Sequence, residues 1–270
     1  MLKTRLVTAL VLVAMVLVIL FWLPPGAGIG FTAALVLLGA WEWSRFAGLT
    51  EPNSRLLYTF ATAVLCALAW DETNQARDWL ALMAIATVWW AIAFLWLALK
   101  PSAVNRAAAA IAGLVVLVPA WVGMGRLLKI DDGPVRGELL FLFLLVLVWA
   151  ADIGAFFAGK RFGRVKLAPR VSPNKTWEGV FGGLFAAGLA AAGGVVLFDF
   201  PVAAFVFLCL AVVLASVVGD LTESMFKRFA GVKDSGRMLP GHGGVLDRID
   251  SVTAAVPFYV LGLGWLGVIG

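Results

Sequence analysis

Residues 139–158 read Leu139-Leu-Phe-Leu-Phe-Leu-Leu-Val-Leu-Val-Trp149-Ala-Ala-Asp152-Ile-Gly154-Ala-Phe156-Phe-Ala158, twenty positions with a single charge. At roughly 1.5 Å of rise per residue, a helix of that length matches a hydrocarbon layer of ~30 Å. A barrel strand would need ten-residue alternation of apolar and polar positions, and none is present. Eight more apolar runs of near-spanning length lie at 6–23, 28–41, 56–70, 79–99, 105–122, 179–197, 202–221 and 251–269, the second and third of the nine being short. Over all 270 residues 62% are hydrophobic and the mean hydropathy is +0.98. A water-soluble domain of this length cannot hide that much apolar surface. The expected fold class is therefore all-α, a polytopic integral membrane protein with about nine transmembrane helices.

Charge sets the orientation. With a cytoplasmic N-terminus, the inner side holds Lys3, Arg5, Arg45, Arg55, Lys100, Arg106, Lys160, Arg161, Arg164, Lys166, Arg170, Lys175, Lys227, Arg228, Lys233, Arg237 and Arg248. Only Arg77, Arg126, Lys129 and Arg136 fall outside. Seventeen against four is a strong positive-inside bias, so both rich polar loops face the cytoplasm. The net charge of +5 is then mainly a topology signal, and secondarily an attraction for anionic headgroups or phosphates. No nucleic-acid partner is expected. The first run ends at Leu23-Pro-Pro-Gly26 with no small-x-small cleavage site, which favours a retained span over a signal peptide. Cys66 and Cys209 sit inside apolar runs and read as core hydrophobes, neither disulfide nor zinc ligands. No internal repeat or linker divides the chain. We expect residues 1–135 to form an N-terminal membrane-spanning region and residues 136–270 a C-terminal membrane-embedded catalytic region of one continuous bundle. Gly179, Gly183 and Ala187 recur at i and i+4 on one helical face, a pattern for close packing within one chain or between the subunits of a homodimer.

The chemistry concentrates between Ser224 and Asp250, which hold five of the 21 basic residues, three acids and the only histidine. Polar groups beside hydrocarbon are costly and tend to serve function. If the eighth helix runs past the membrane, Asp220, Ser224 and Lys227 fall on one face and offer a carboxylate, a hydroxyl and an ammonium to one ligand. The plainer reading is a helix end with a solvated Glu223–Lys227 pair. Pro240-Gly-His242-Gly243-Gly244 is a turn in which bare glycine backbone can approach an anion, with His242 as a further donor. Asp247 and Asp250 then open the ninth helix. Capping accounts for one of them, but not for two acids, Arg248 and the adjacent Gly-Gly. Upstream, Asp152 closes the sixth span. Ser172-Pro-Asn-Lys175-Thr176-Trp-Glu178-Gly179 opens the seventh and reads either as an anion site at a helix start or as a basic anchor with a capping Ser or Thr.

Carboxylates, Lys/Arg and a glycine turn are what a magnesium-bound triphosphate requires, since Mg²⁺ takes one or two carboxylates and completes its shell with water and phosphate. Asp220 and Asp247 are the best-placed pair, one from each helix flanking the loop. Lys227, Arg228, Lys233 and Arg248 are suited to neutralising a leaving pyrophosphate. A single histidine argues against a zinc hydrolase, and the lack of G-x-S-x-G against a serine hydrolase. Gly262-Leu-Gly264-Trp-Leu-Gly267 fits G-x-G-x-x-G but lies inside an apolar span with no strand before it, so it is read as coincidence.

Taken together, Ser224-Met-Phe226-Lys227-Arg228, Lys233-Asp234-x-Gly236, Leu239-Pro240-x-His242-Gly243-Gly244 and Asp247-Arg248-Ile249-Asp250 resemble the signature of the phosphatidate cytidylyltransferase, or CDP-diacylglycerol synthase, family. Asp152-x-Gly154-Ala and Ser172-Pro-x-Lys175-Thr176-x-Glu178-Gly179 resemble that family too, with Phe156 where tyrosine is expected and Asn174 where glycine is frequent. The resemblance implies Mg²⁺-dependent transfer of the cytidylyl group of CTP to phosphatidate, giving CDP-diacylglycerol and pyrophosphate for phospholipid synthesis. It implies Asp220 and Asp247 at the metal centre, alone or beside a second cation such as K⁺, with Lys227 and Arg248 joining them in catalysis. Substrate binding would fall to Ser224, Arg228, Lys233, Asp234, His242, Gly243, Gly244 and Asp250, together with Asp152, Ser172, Lys175, Thr176 and Glu178. The expected location is the plasma membrane among its lipids, the inner membrane in a Gram-negative cell, with the active-site loops cytoplasmic. One alternative is another CTP-dependent lipid enzyme, such as a polyprenol kinase, which would release CDP. A second is an ion-coupled transporter, against which stand the loop placement of the charges and the missing repeat. A CDP-alcohol phosphotransferase is disfavoured because Asp132-Gly133-Pro-Val-Arg136 only echoes its motif.

Overall fold

The computed structural model describes residues 2–131 and 135–269, with side chains from Val7 onward. The side chains of Lys3 and Arg5 and the Asp132-Gly133-Pro134 stretch lie outside the described residues. The helices are α1 (Leu2–Phe21), α2 (Pro25–Trp43), α3 (Pro52–Glu72), α4 (Ala76–Leu99), α5 (Arg106–Leu128), α6 (Gly137–Phe162), α7 (Trp177–Phe198), α8 (Val202–Phe229) and α9 (Leu246–Trp265). A short antiparallel hairpin, β1 (Lys166–Ala168) with β2 (Ser172–Thr176), joins α6 to α7. Each expected span overlaps one helix. The two short ones lengthen because Pro25 and Pro52 occupy the first helical turn, where the missing N–H costs nothing and the fixed φ suits the helix.

Six helices among the described residues are long and apolar enough to cross a membrane: α2, α4, α5, α6, α7 and α8. They give the architecture of an integral membrane protein. α8 and α9 each extend beyond the apolar run expected there, α8 to Phe229 and α9 back to Leu246. The polar motif therefore sits on helix ends as well as in the loop between them.

The packing of α6 on α7 answers the question raised by the small-residue face. A Cβ on Gly182 would lie 2.2 Å from Ala158 Cβ, and one on Gly154 would lie 2.5 Å from the Gly182 carbonyl oxygen. The two backbones are in direct contact, as small residues permit. Gly179, Gly183 and Ala187 are buried in this chain, whereas Phe181, Phe185 and Leu189 point outward, apolar side chains on a face that lipid can cover.

At the end of the bundle that carries the polar loops, aromatic rings tie the two halves of the chain together. The Trp43 ring at the close of α2 lies 5.2 Å from that of Phe226 on α8, centroid to centroid, and Trp96 of α4 meets Phe226 edge-on at 5.8 Å. Trp43 Nε1 donates to the Ala109 carbonyl at 2.8 Å, and the Tyr58 hydroxyl donates to that of Ala110 at 2.8 Å. Buried Trp and Tyr thus satisfy their polar ends on the first turn of α5 while their rings fill the core. The opposite end has a separate anchor. Arg126 stacks over Trp70 at 4.0 Å and donates to its carbonyl oxygen and to Asn74.

Candidate active site

A cavity of about 470 Å³ opens where α6, the hairpin, α7 and α8 converge. Its apolar lining includes Val180, Val213 and Val217, and its polar lining includes Asp152, Lys160, Lys175, Thr176, Ser216 and Asp220. α6 brings Asp152 and Lys160, two turns apart on one face, and α8 brings Ser216 and Asp220 by the same rule of spacing. Lys175 arrives on β2 rather than on a helix start. Pro173 cannot donate to a helical ladder, and Thr176 is extended at φ −132°, ψ 155°, capping α7 by accepting from Gly179 N at 3.1 Å. The expected cluster at the opening of α7 is thus a strand delivering Lys175 and one capping threonine.

Lys175 Nζ pairs with Asp220 Oδ2 across the cavity wall, and the Ser224 hydroxyl donates to Asp220 Oδ1 at 3.3 Å. Asp220 and Lys175 retain 30% and 27% of their side-chain exposure, so the pair is held yet reachable. Asp152 and Asp250 are close enough to Asp220 for the three carboxylates to repel one another. Like charges gathered in this way favour a bound cation or a cationic partner.

Asp247 has a different environment. Its side chain is 6% exposed and accepts from four donors: Lys227 Nζ at 2.7 Å on Oδ1, then Gly244 N at 2.8 Å and Ser235 N and Oγ at 3.0 Å each on Oδ2. Lys227 also donates to Glu223 Oε2 at 2.8 Å. Glu223 is 2% exposed and lies against Asp250. The Glu223–Lys227 pair is thus buried rather than solvated, one part of a network joining α8 to α9. Asp250 accepts from the N–H of Ser251 at 2.6 Å.

The loop between α8 and α9 is folded on itself. Gly241 and Gly243 have φ of +76° and +82°, a region closed to most side chains. The turn closes through His242 N to the Leu239 carbonyl at 2.9 Å and Leu239 N to the Gly243 carbonyl at 3.0 Å. His242 Nδ1 is buried without a hydrogen-bond partner among the described residues. Lys233, Asp234 and Arg248 are exposed. Arg228, also exposed, donates through Nε to the Val171 carbonyl at 3.2 Å, tying α8 to the hairpin. Glu178 accepts from Val165 N on both oxygens, at 3.1 and 3.3 Å, and Ser172 lies in the paired strand. Both belong to the hairpin's scaffold.

Apart from Ser172 and Glu178 in the hairpin's scaffold and the exposed Arg228, Lys233, Asp234 and Arg248, many of the expected residues fall into two groups. Asp152, Lys175, Thr176 and Asp220 line the cavity. Asp247, Lys227, Gly244 and the glycine turn form the loop anchor beside it. Two residues that sequence reasoning missed complete the anchor. The Ser235 hydroxyl contacts Asp247 and Glu42, and Glu42, from α2, also accepts from Leu246 N at 2.8 Å. Ser235 was hidden at the unspecified position of Lys233-Asp234-x-Gly236. The one signal for Glu42 was a carboxylate at the end of an otherwise apolar run.

Residues 3–265 match the cytidylyltransferase family. A protein of Pseudomonas aeruginosa named phosphatidate cytidylyltransferase is 45% identical over 98% of this chain and 99% of its own length. One of Haemophilus influenzae with the same name is 42% identical over 96% and 97%, and one of Brucella suis, again so named, is 35% identical over 96% and 92%.

Proposed function

The chain belongs to the cytidylyltransferase family, and from that premise we propose that it joins CTP to phosphatidate, giving CDP-diacylglycerol and pyrophosphate. The observation that carries this reading is the cavity itself, lined by both apolar and charged side chains, beside helix ends and a loop that carry Lys227, Arg228, Lys233 and Arg248. An oxygen of the phosphatidate phosphate attacks the α-phosphorus of CTP. The bond from that phosphorus to the bridging oxygen breaks, and pyrophosphate leaves with the electron pair. The nucleophile is already anionic at neutral pH, so no strong general base is needed. The obstacle is repulsion between two phosphates, and the task of the site is to hold them in line and offset their charge.

The donor set suits Mg²⁺, a hard cation content with one or two carboxylates. Among the described residues no three acidic, histidine or cysteine side chains form a ready-made cage, so water and phosphate would have to supply the other ligands. Asp220 and Asp247 are the proposed ligands, each already paired with an ammonium, Lys175 and Lys227. When bound, the metal would polarise the reacting phosphate and draw the two substrates together. Asp220 suits this role directly, through its exposure. Asp247 would offer Oδ1 in exchange for Lys227, its Oδ2 staying fixed by the loop. K⁺ as a second cation is proposed on the excess of carboxylates around Asp220. Lys160 and Lys175 in the cavity lining are assigned to the lipid phosphate, and Lys227, Arg228, Lys233 and Arg248 to the triphosphate. Ser224, Asp234, His242, Gly243, Gly244, Asp250 and Asp152 border these contacts, while Ser172, Thr176 and Glu178 hold the hairpin that presents Lys175.

We further assign nine spans, a cytoplasmic N-terminus and an inner-face active site, on the positive-inside bias. Supplying α-³²P-labelled CTP and phosphatidate to detergent-purified protein tests the chemistry. Label should enter lipid as pyrophosphate appears, and excess EDTA should stop both. Release of CDP with no label in lipid would point to a kinase and end the reading.

A further inference from the structure

Glu42 is the penultimate residue of α2, in the half of the chain that carries none of the motif, and it is 2% exposed. Oε2 accepts from Leu246 N at 2.8 Å and stands 3.0 Å from Ser235 Oγ. Oε1 is buried with no hydrogen-bond partner among the described residues and abuts Gly236, where a Cβ would lie 1.9 Å from it. A buried carboxylate oxygen without a donor is destabilising. An apolar side chain of that size would serve helix packing better, so the acid's use lies in its two contacts.

Both contacts belong to the reaction loop. The Ser235 hydroxyl has one proton and lies 3.0 Å from each of two carboxylates, Glu42 on α2 and Asp247 on α9. The Ser235 amide goes to Asp247 as well. The two acids thus grip one residue from opposite sides, and Glu42 also caps the backbone at the first residue of α9. Glycine at 236 and at 244 is what allows this approach: a Cβ on Gly244 would lie 2.1 Å from Ser235 Oγ and 2.5 Å from Glu42 Oε2.

We propose that Glu42 is a positioning residue for cytidylyl transfer. It fixes the Ser235–Gly236 turn and the first turn of α9, and through them the direction in which Asp247 Oδ1 and Lys227 face the substrates. The proposal rests on the roles given above to Asp247 and Lys227. It makes the N-terminal half a working part of the site, through partners 193 and 204 residues away in sequence.

The test uses the full-length Glu42→Gln protein in detergent. Glutamine keeps the size and one acceptor for the Leu246 amide but removes the charge, and it places an NH₂ where no acceptor waits. We expect kcat to fall about tenfold or more, with the KM for phosphatidate unchanged within about twofold. In protein without nucleotide or lipid, amide exchange over 233–248 should quicken about tenfold while α6 and α7 keep the parent rate. Gly236→Ala should lower kcat similarly by driving a methyl group into Oε1, and it should cost nothing further in a Glu42→Ala background, where that oxygen is gone. Unchanged kcat and loop exchange in Glu42→Gln would overturn the proposal. So would exchange quickened in every helix, because Glu42 would then support the bundle and not the loop. A parent protein that fails to label lipid would instead strike the functional reading, leaving the exchange comparison to stand by itself.

Discussion

Two carboxylates from neighbouring helices, Asp220 and Asp247, lie in opposite conditions. Asp247 is nearly sealed, with four donors on its two oxygens. Asp220 keeps nearly a third of its exposure, holds one long hydrogen bond and one ammonium, and faces a cavity with two other acids nearby. A carboxylate saturated by two backbone amides, a hydroxyl and an ammonium holds a loop in shape. One left under-satisfied among like charges favours a bound cation. On the proposed function, Asp247 would fix the geometry of the site and Asp220 would receive charge, and substitutions should separate the two.

The largest effect is expected from Asp247→Ala, because it removes both functions. It strips Lys227 of one partner and leaves the Ser235 and Gly244 amides without an acceptor. Removing one member of a buried charge pair costs on the order of 3–5 kcal/mol. Turnover should vanish, and the thermal unfolding midpoint in detergent should drop by about 5 °C or more. Asp220→Ala sharpens the contrast. Its turnover should fall by roughly a thousandfold, the scale expected for removing a group that stabilises transferring charge, yet its midpoint should stay within about 2 °C of the parent. If the two variants lose stability alike, the division between anchor and poised group is wrong.

Much of this was legible in the sequence, and what was not has identifiable causes. Apolar runs announce membrane helices because nothing else hides so much surface, and Leu139 to Ala158 lies wholly within α6. The motif Asp220–Ser224–Lys227 was readable as a helical stripe, and Ser224 does donate to Asp220, whereas Lys227 pairs with Glu223 and Asp247. The hairpin was not readable. Its strands span three and five residues, too short and too polar for an alternating pattern to register. Glu42 was missed since an acid at the end of a span looks like a membrane-boundary residue, and only tertiary contact reveals its partners. Ser235 escaped because a signature records which positions are restricted and says nothing of a hydroxyl at a free one. The expected solvated Glu223–Lys227 pair erred in burial rather than in pairing, since α9 covers it.

Lys175→Ala probes the poised side more gently. It removes the ammonium on Asp220 and one of two lysines lining the cavity, so we expect about a tenfold loss in kcat/KM for phosphatidate with the fold unchanged. The loss should deepen at low ionic strength relative to the parent, because unscreened attraction for the lipid phosphate is what the lysine supplied.

Glu178→Gln should have the smallest effect, and it distinguishes a substrate ligand from scaffold. The resemblance gave Glu178 a share in substrate binding, but both of its oxygens accept from Val165 N, joining the start of α7 to the residue just before β1. Glutamine keeps an oxygen for that amide and loses only the charge, on a side chain that solvent already reaches. The KM values for CTP and phosphatidate should therefore move by less than about threefold. A larger rise in the KM for CTP would mean that the carboxylate contacts the nucleotide or its metal. Glu178 would then leave the scaffold and join Asp220 on the poised side, and the hairpin would hold a second working charge beside Lys175.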